Sequence, residues 1–135
     1  MAKPVEIASI DHFVLTVADI AATCAFYEKA LGMGVERFRP ADGSAERVAL
    51  KFGSQKINLH QAGAEFRPHA RKPVAGSGDF CLITNTPIDK VKAHLIECGV
   101  AVELGPVPRT GAVGKLTSIY FRDPDGNLVE VANRK

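Results

Sequence analysis

Four side chains of this 135-residue chain carry chemistry at related positions: His12, His60, Asp79 and Glu130. Two imidazoles and two carboxylates around an open position form a donor set for a divalent transition metal of the iron, zinc, nickel or manganese type. Each residue interrupts an apolar, strand-like run. In residues 9–17, Ile10, His12, Val14 and Thr16 alternate with Phe13, Leu15 and Val17. His60 shares a face with Asn58, opposite Ile57 and Leu59. Asp79 shares one with Cys81, opposite Phe80 and Leu82. Glu130 shares one with Leu128 and Ala132, opposite Val129 and Val131. A strand histidine on its own is ordinarily a satisfied structural residue, and a lone carboxylate near the C-terminus a solvated edge. It is their common placement that points to a site.

The elements that must position them recur. Strand 9–17 leads into a helix over 20–31, with Asp19 as N-cap and Gly32 as stop. Its apolar stripe is Ile20, Cys24, Tyr27 and Leu31. Strands follow at 35–39, 46–52 and 56–60. Residues 61–78 hold Pro68, Pro73, Gly63, Gly76 and Gly78 and read as a long connection. A second unit then opens with strand 79–84. Its helix has Thr86 as N-cap, Pro87 in the first helical position and Asp89 in the first turn. Ile88, Val91, Leu95 and Cys98 form the stripe, and Gly99 ends it. Strand 100–104, a Gly/Pro-rich loop over 105–114 carrying Arg109, and a hairpin turning at Asp123-Pro124-Asp125-Gly126-Asn127 complete the unit.

The two helix caps lie 67 residues apart, as do the two stop glycines, and His12 shifted by 67 falls on Asp79. His60 shifted by 70 falls on Glu130, which places those two in matching last strands. The expectation is an α+β fold of two βαβββ modules, about 9–60 and 79–133, within a single domain spanning 1–135. If the modules pack as pseudo-symmetric partners, the four side chains converge. His69 in the connection and His94 on the polar side of the second helix lack such symmetry.

Composition narrows the class. Hydrophobic residues at 46% and charged residues at 24% are ordinary for a folded chain. A net charge of +2, from 17 basic against 15 acidic residues, is too balanced to argue for nucleic acid or an anionic membrane. Residues 1–8 read as a loose arm without the apolar core of a signal peptide, and no run is long enough to span a bilayer, so a cytoplasmic location is expected. Cys24, Cys81 and Cys98 are odd in number with no C-x-x-C spacing, as expected of small buried residues in a reducing compartment.

Three segments together resemble the vicinal oxygen chelate superfamily, which includes glyoxalase I, extradiol dioxygenases and bleomycin- and fosfomycin-resistance proteins. They are Ile10-Asp11-His12-Phe13-Val14-Leu15-Thr16-Val17, Ala25-Phe26-Tyr27-Glu28-Lys29-Ala30-Leu31-Gly32-Met33, and the run from Phe121 to Glu130. The runs 55–60, 80–84 and 105–112 are similar, more narrowly, to a glyoxalase-domain subgroup with virulence-associated bacterial members. The resemblance implies two βαβββ modules forming a half-barrel sheet around a divalent metal, with His12 and Glu130 as first and last ligands. It places His60 where glyoxalase I has a glutamate and Asp79 where a histidine is common, so that Asp79 either binds metal or holds an imidazole from behind. It implies a small substrate with two adjacent oxygens, lactoylglutathione-lyase-type chemistry with Glu130 as the proton-transfer base, glutathione as a possible co-substrate, and a homodimer. Arg109, Ser118 and Tyr120 are candidate substrate contacts, with Lys115 and the loop cations Arg67, Arg71 and Lys72 behind them. An extradiol-type dioxygenase and a non-catalytic drug- or metabolite-binding protein are the alternatives.

Overall fold

The computed structural model describes residues 3–135. Elements run in the order β1 (His12–Val17), α1 (Ile20–Leu31), β2 (Gly34–Phe38), β3 (Arg47–Phe52), β4 (Gln55–Gln61), β5 (Asp79–Ile83), α2 (Ile88–Glu97), β6 (Val102–Gly111), β7 (Gly114–Arg122) and β8 (Leu128–Arg134). Each half is a βαβββ unit. Its first strand pairs in parallel with its last, and the remaining pairs are antiparallel. This gives two four-stranded sheets of matching order, β1-β4-β3-β2 and β5-β8-β7-β6.

Helix α1 starts where the capping logic places it: the Asp19 carboxylate accepts the Ala22 N–H at 3.0 Å, and Gly32 takes the left-handed conformation, φ 66°, at the C-terminus. Its buried residues are Thr23, Cys24, Tyr27 and Ala30, whereas Ile20 and Leu31 of the predicted stripe are half-buried. Helix α2 begins one residue later than predicted. Pro87 occupies the cap, Thr86 does not cap the helix, and the Ile88 N–H donates to the Asn133 side-chain oxygen of β8 at 2.8 Å. The start is thus fixed by a tertiary partner, which local spacing does not reveal. The predicted loop over 105–114 is instead mostly strand: β6 runs to Gly111 through irregularities between Val102 and Val107. Gly105 sits in that stretch at φ +112°, where an added Cβ would collide with the Ser118 carbonyl and lie 2.9 Å from Ile119 Cα. Strand β1 starts at His12 and not at residue 9, and the first two residues of the predicted N-terminal arm lie outside the described residues.

The apolar faces of both sheets and both helices enclose one core. Leu15, Val17, Tyr27, Leu50, Ile57 and Leu59 from the first unit merge with Val91, Leu95, Ile119, Phe121, Val129 and Val131 from the second. Phe26 of α1 packs on Phe121 of β7, and Phe13 of β1 on Phe80 of β5 with ring centroids 5.1 Å apart. Burying large side chains of this kind contributes about 1.5–3 kcal/mol each. Polar bonds then fix the two units to one another. The buried Asp123 carboxylate accepts the Tyr27 hydroxyl at 2.7 Å, the Asn127 side-chain amide at 2.8 Å, and the Asp125 and Asn127 N–H groups at 3.0 Å each. Asn127 in turn accepts the Gly78 N–H at 2.7 Å. His94 reaches the Lys29 carbonyl at 2.9 Å, joining α2 to the end of α1.

Candidate metal and substrate site

Strand pairing assigns every predicted site residue to a sheet face, because directly paired residues project to the same side. In the first sheet, Phe13, Leu15, Ile57 and Leu59 enter the core. His12, Val14, Thr16, Asn58 and His60 project from the opposite face, with Val14 beside Asn58 and Thr16 beside His60. In the second sheet, Phe80, Val129, Val131, Ile119 and Phe121 enter the core. Asp79, Cys81, Glu130, Ser118 and Tyr120 share the other face, with Cys81 and Tyr120 flanking Glu130. All the predicted metal ligands therefore occupy the helix-free faces of the two sheets. Those faces are partly open: His12, Asp79 and Cys81 are exposed, Glu130 is half-buried, and the apolar Val14 and Ile83 are 45% and 43% exposed.

His12 is oriented by its neighbour. Its Nδ1 lies 2.7 Å from the Asp11 carboxylate, which leaves Nε2 to face outward. That hydrogen bond holds the Asp11 carboxyl below its ordinary range. A carboxylate fixing the far nitrogen of an imidazole is a common support for a metal-binding histidine, and Asp11 was not singled out by sequence spacing. On the second sheet, Arg109 Nε donates to the Tyr120 hydroxyl at 2.8 Å and the guanidinium stands 5.3 Å from that ring's centroid. Tyr120 lies across from Glu130. Ser118 is fully buried between Val107 and Ala132, and its hydroxyl has no hydrogen-bond partner. Cys81 is exposed, and only Cys24 of the three cysteines is buried, which corrects the expectation of small buried residues. Burial, followed by the adjacent Glu130 carboxylate, pushes the Cys81 thiol up to about 11.

The register corrects one equivalence. His12 pairs with Lys56 and Asp79 with Leu128, so the residue matching Glu130 is Asn58, and His60 matches Ala132. The 70-residue shift misassigned it because Asn58 and Glu130, which the register makes equivalent, lie 72 residues apart: between the helix and the last strand the two units differ by more residues than that shift allows. His60 remains on the ligand-bearing face but one pair further along. It is 95% buried, its Nδ1 lacks a partner, and its ring meets Phe66 edge-on at 5.5 Å. Burial, followed by the Arg47 charge, lowers the pKa of its imidazole.

A cleft of about 960 Å³ opens beside β1 and β5, under the connection between the units. His12, His60 and Asp79 line it together with Lys56, His69 and Lys72, whereas Glu130, Arg109, Ser118 and Tyr120 do not. Among the described residues, no three His, Cys, Asp or Glu side chains come close enough to hold a metal ion. One chain thus supplies suitable donor types on two helix-free faces without completing a coordination set.

This fold, with its paired polar faces, defines a class of protein. The family model of the Glyoxalase/Bleomycin resistance protein/Dioxygenase superfamily matches residues 9–131. The chain is 51% identical over 123 residues to virulence protein STM3117 of Salmonella typhimurium, covering 91% of this chain and 82% of that protein. It superposes with a TM-score of 0.91 on an integron cassette protein from the mobile metagenome of V. cholerae, at 52% identity and over 97% and 98% of the two chains. A lactoylglutathione lyase from Agrobacterium tumefaciens superposes with a TM-score of 0.67 at 28% identity, over 95% of each chain. The chain belongs to the glyoxalase/bleomycin resistance/dioxygenase superfamily.

Proposed function

We propose that this protein is a divalent-metal-dependent, glyoxalase-like enzyme acting on a small substrate with two adjacent oxygens. The observation that carries the proposal is the placement of His12, Asp79 and Glu130 on the two helix-free faces, with the His12 ring already fixed by Asp11. The similarity to a lactoylglutathione lyase supports the reaction class.

The incomplete set within one chain supports a twofold homodimer, in which the His12 face of one copy meets the Glu130 face of the other. Exposed Val14, Ile83 and Leu104 supply apolar area to bury. His12 and Glu130, with Asp79, would hold the metal. When bound, the metal would supply Lewis-acid stabilisation of an oxyanion developing on the substrate. The Glu130 carboxylate takes the proton from the carbon beside the substrate carbonyl and returns it to the neighbouring carbon. Tyr120, held by Arg109, faces Glu130 and orients the substrate oxygen, and Cys81 stays protonated beside it.

Elemental analysis after chelator-free purification, combined with a hemithioacetal isomerisation assay across nickel, zinc, manganese and iron, tests this reading. One bound metal per site and turnover with at least one of these metals are expected. His12→Ala and Glu130→Ala should each remove the metal; unchanged metal content in both variants would show that the site is wrongly placed.

A further inference from the structure

A second cleft, of about 900 Å³, adjoins the first. The two share Ile10, Phe52, Gln55, Cys81 and Leu82. Beyond those residues the second is walled by the end of α1, the turn joining β3 and β4, the last residues of β5 and the first turns of α2. It lies at the seam between the two units, and none of His12, Asp79 and Glu130 lines it.

Its lining combines apolar and basic groups. Leu31, Phe52 and Leu82 are half-buried there, and Ile10 is 68% exposed. The basic groups are Lys90 and His94 of α2 and Arg134 of β8, all exposed. Among the described residues no Asp or Glu lines this cleft, whereas Asp11 and Asp79 line the first. Among the same residues neither Lys90 nor Arg134 has a carboxylate in ion-pair range.

A single surface lysine is ordinarily solvated and would mean little. Here basic groups from two elements meet in one concavity, and the backbone that carries them is held in place. His94 Nε2 donates to the Lys29 carbonyl at 2.9 Å, which docks α2 on the end of α1, and Lys90 lies one turn earlier on the same helix face. The Asn133 side chain accepts the Ile88 N–H at 2.8 Å and donates to the Thr84 and Thr86 carbonyls at 2.8 and 2.9 Å. That fixes the residue before Arg134 against the start of α2. Ligand sites are concave and mostly apolar, with a few polar groups that set orientation. An uncharged apolar molecule would leave these cations without a partner, and a small inorganic anion would leave the apolar wall wet. The complement is a molecule that is apolar along its body and anionic at one end.

We propose that the second cleft binds an amphipathic organic anion, an alkyl or aryl body ending in a carboxylate or phosphate, with the body on Leu31, Phe52 and Leu82 and the anionic end at Lys90 and Arg134. The inference goes beyond the enzymatic reading and does not rest on it.

Titration of the full-length protein with octanoate, the uncharged octanamide, acetate and octyl phosphate, followed by NMR chemical shifts, tests the proposal. Octanoate is expected to bind about tenfold or more tightly than either octanamide or acetate. Its shifts should centre on Leu31 and Lys90, which line the second cleft only, and not on His12 and Thr16, which line the first only. Octyl phosphate should compete with octanoate, and the tighter of the two names the head group. Lys90→Gln combined with Arg134→Gln, two exposed positions, should remove the preference for octanoate over octanamide. Lys72→Gln, which alters a cation of the first cleft, should leave it intact. Equal binding of octanoate and octanamide by the wild type overturns the proposal without reference to any variant's folding. Shifts centred on His12 and Thr16, loss of the preference in Lys72→Gln, or its survival in the double variant overturn it as well. Absence of octanoate binding at millimolar concentration also overturns it and leaves the cleft to be covered by a second copy of the chain.

Discussion

Cys81 and Glu130 test the geometry of the second sheet's helix-free face one residue at a time. They are cross-strand partners, and the thiol is raised first by burial and then by the carboxylate beside it. Raising a thiol pKa lowers its thiolate fraction at any given pH below it, and the thiolate is the nucleophile. At about pH 8, alkylation of Cys81 is therefore expected to be on the order of tenfold or more slower than that of a free thiol, despite its exposure. Glu130→Gln should speed it by removing the repelling charge. Mass-spectrometric alkylation kinetics check both statements, and an unchanged rate in Glu130→Gln would mean that the two groups do not face each other. His12 shows how one residue depends on its neighbour: without Asp11, the ring loses the bond that fixes its outward nitrogen.

Between elements, the turn joining β7 and β8 does more than reverse the chain. Asp123 gathers four hydrogen bonds, one of them from Tyr27 in the middle of α1, and so ties the helix of the first unit to the hairpin of the second. Tyr27→Phe removes a single donor to a charged acceptor and is expected to cost about 1.5–3 kcal/mol. Asp123→Ala leaves the Tyr27 hydroxyl and the Asn127 amide buried without partners and should cost about 3 kcal/mol or more. Urea unfolding measures both, and a cost below about 1 kcal/mol for Asp123→Ala would show that the knot is not what joins the units. Gly105→Ala should also destabilise, by about 1–3 kcal/mol, because a side chain at that positive φ would run into the Ser118 carbonyl. Helical periodicity and capping residues made α1 and the strands of the first unit legible. The start of α2 and the extension of β6 were not, since Asn133 and pairing with β7 decide them from a distance.

At the scale of the whole molecule, the two helix-free faces carry different members of the donor set, and the dimer proposed above has a direct genetic test. In a mixed dimer of His12→Ala and Glu130→Ala chains, one site carries both substitutions and the other carries neither. Mixing the two inactive variants under exchanging conditions should therefore restore about a quarter of the wild-type metal sites and turnover. Recovery of nothing, from a sample shown by sizing to be dimeric, would place the whole site within one chain. The described residues contain no helix long and apolar enough to cross a membrane.

The repeated unit, its helix caps, its alternating strand faces and the chemical types on the helix-free side were all determined by the sequence alone. Each depends on nearest neighbours along the chain or on a fixed residue period. The register between the two units depends on which strands pair and on how many residues each turn consumes. Only the folded sheets could therefore decide that Asn58, and not His60, answers to Glu130. The same holds for Arg47, Phe66 and His60, which belong to three successive segments and meet only because β3 and β4 pair and the following connection folds back over them.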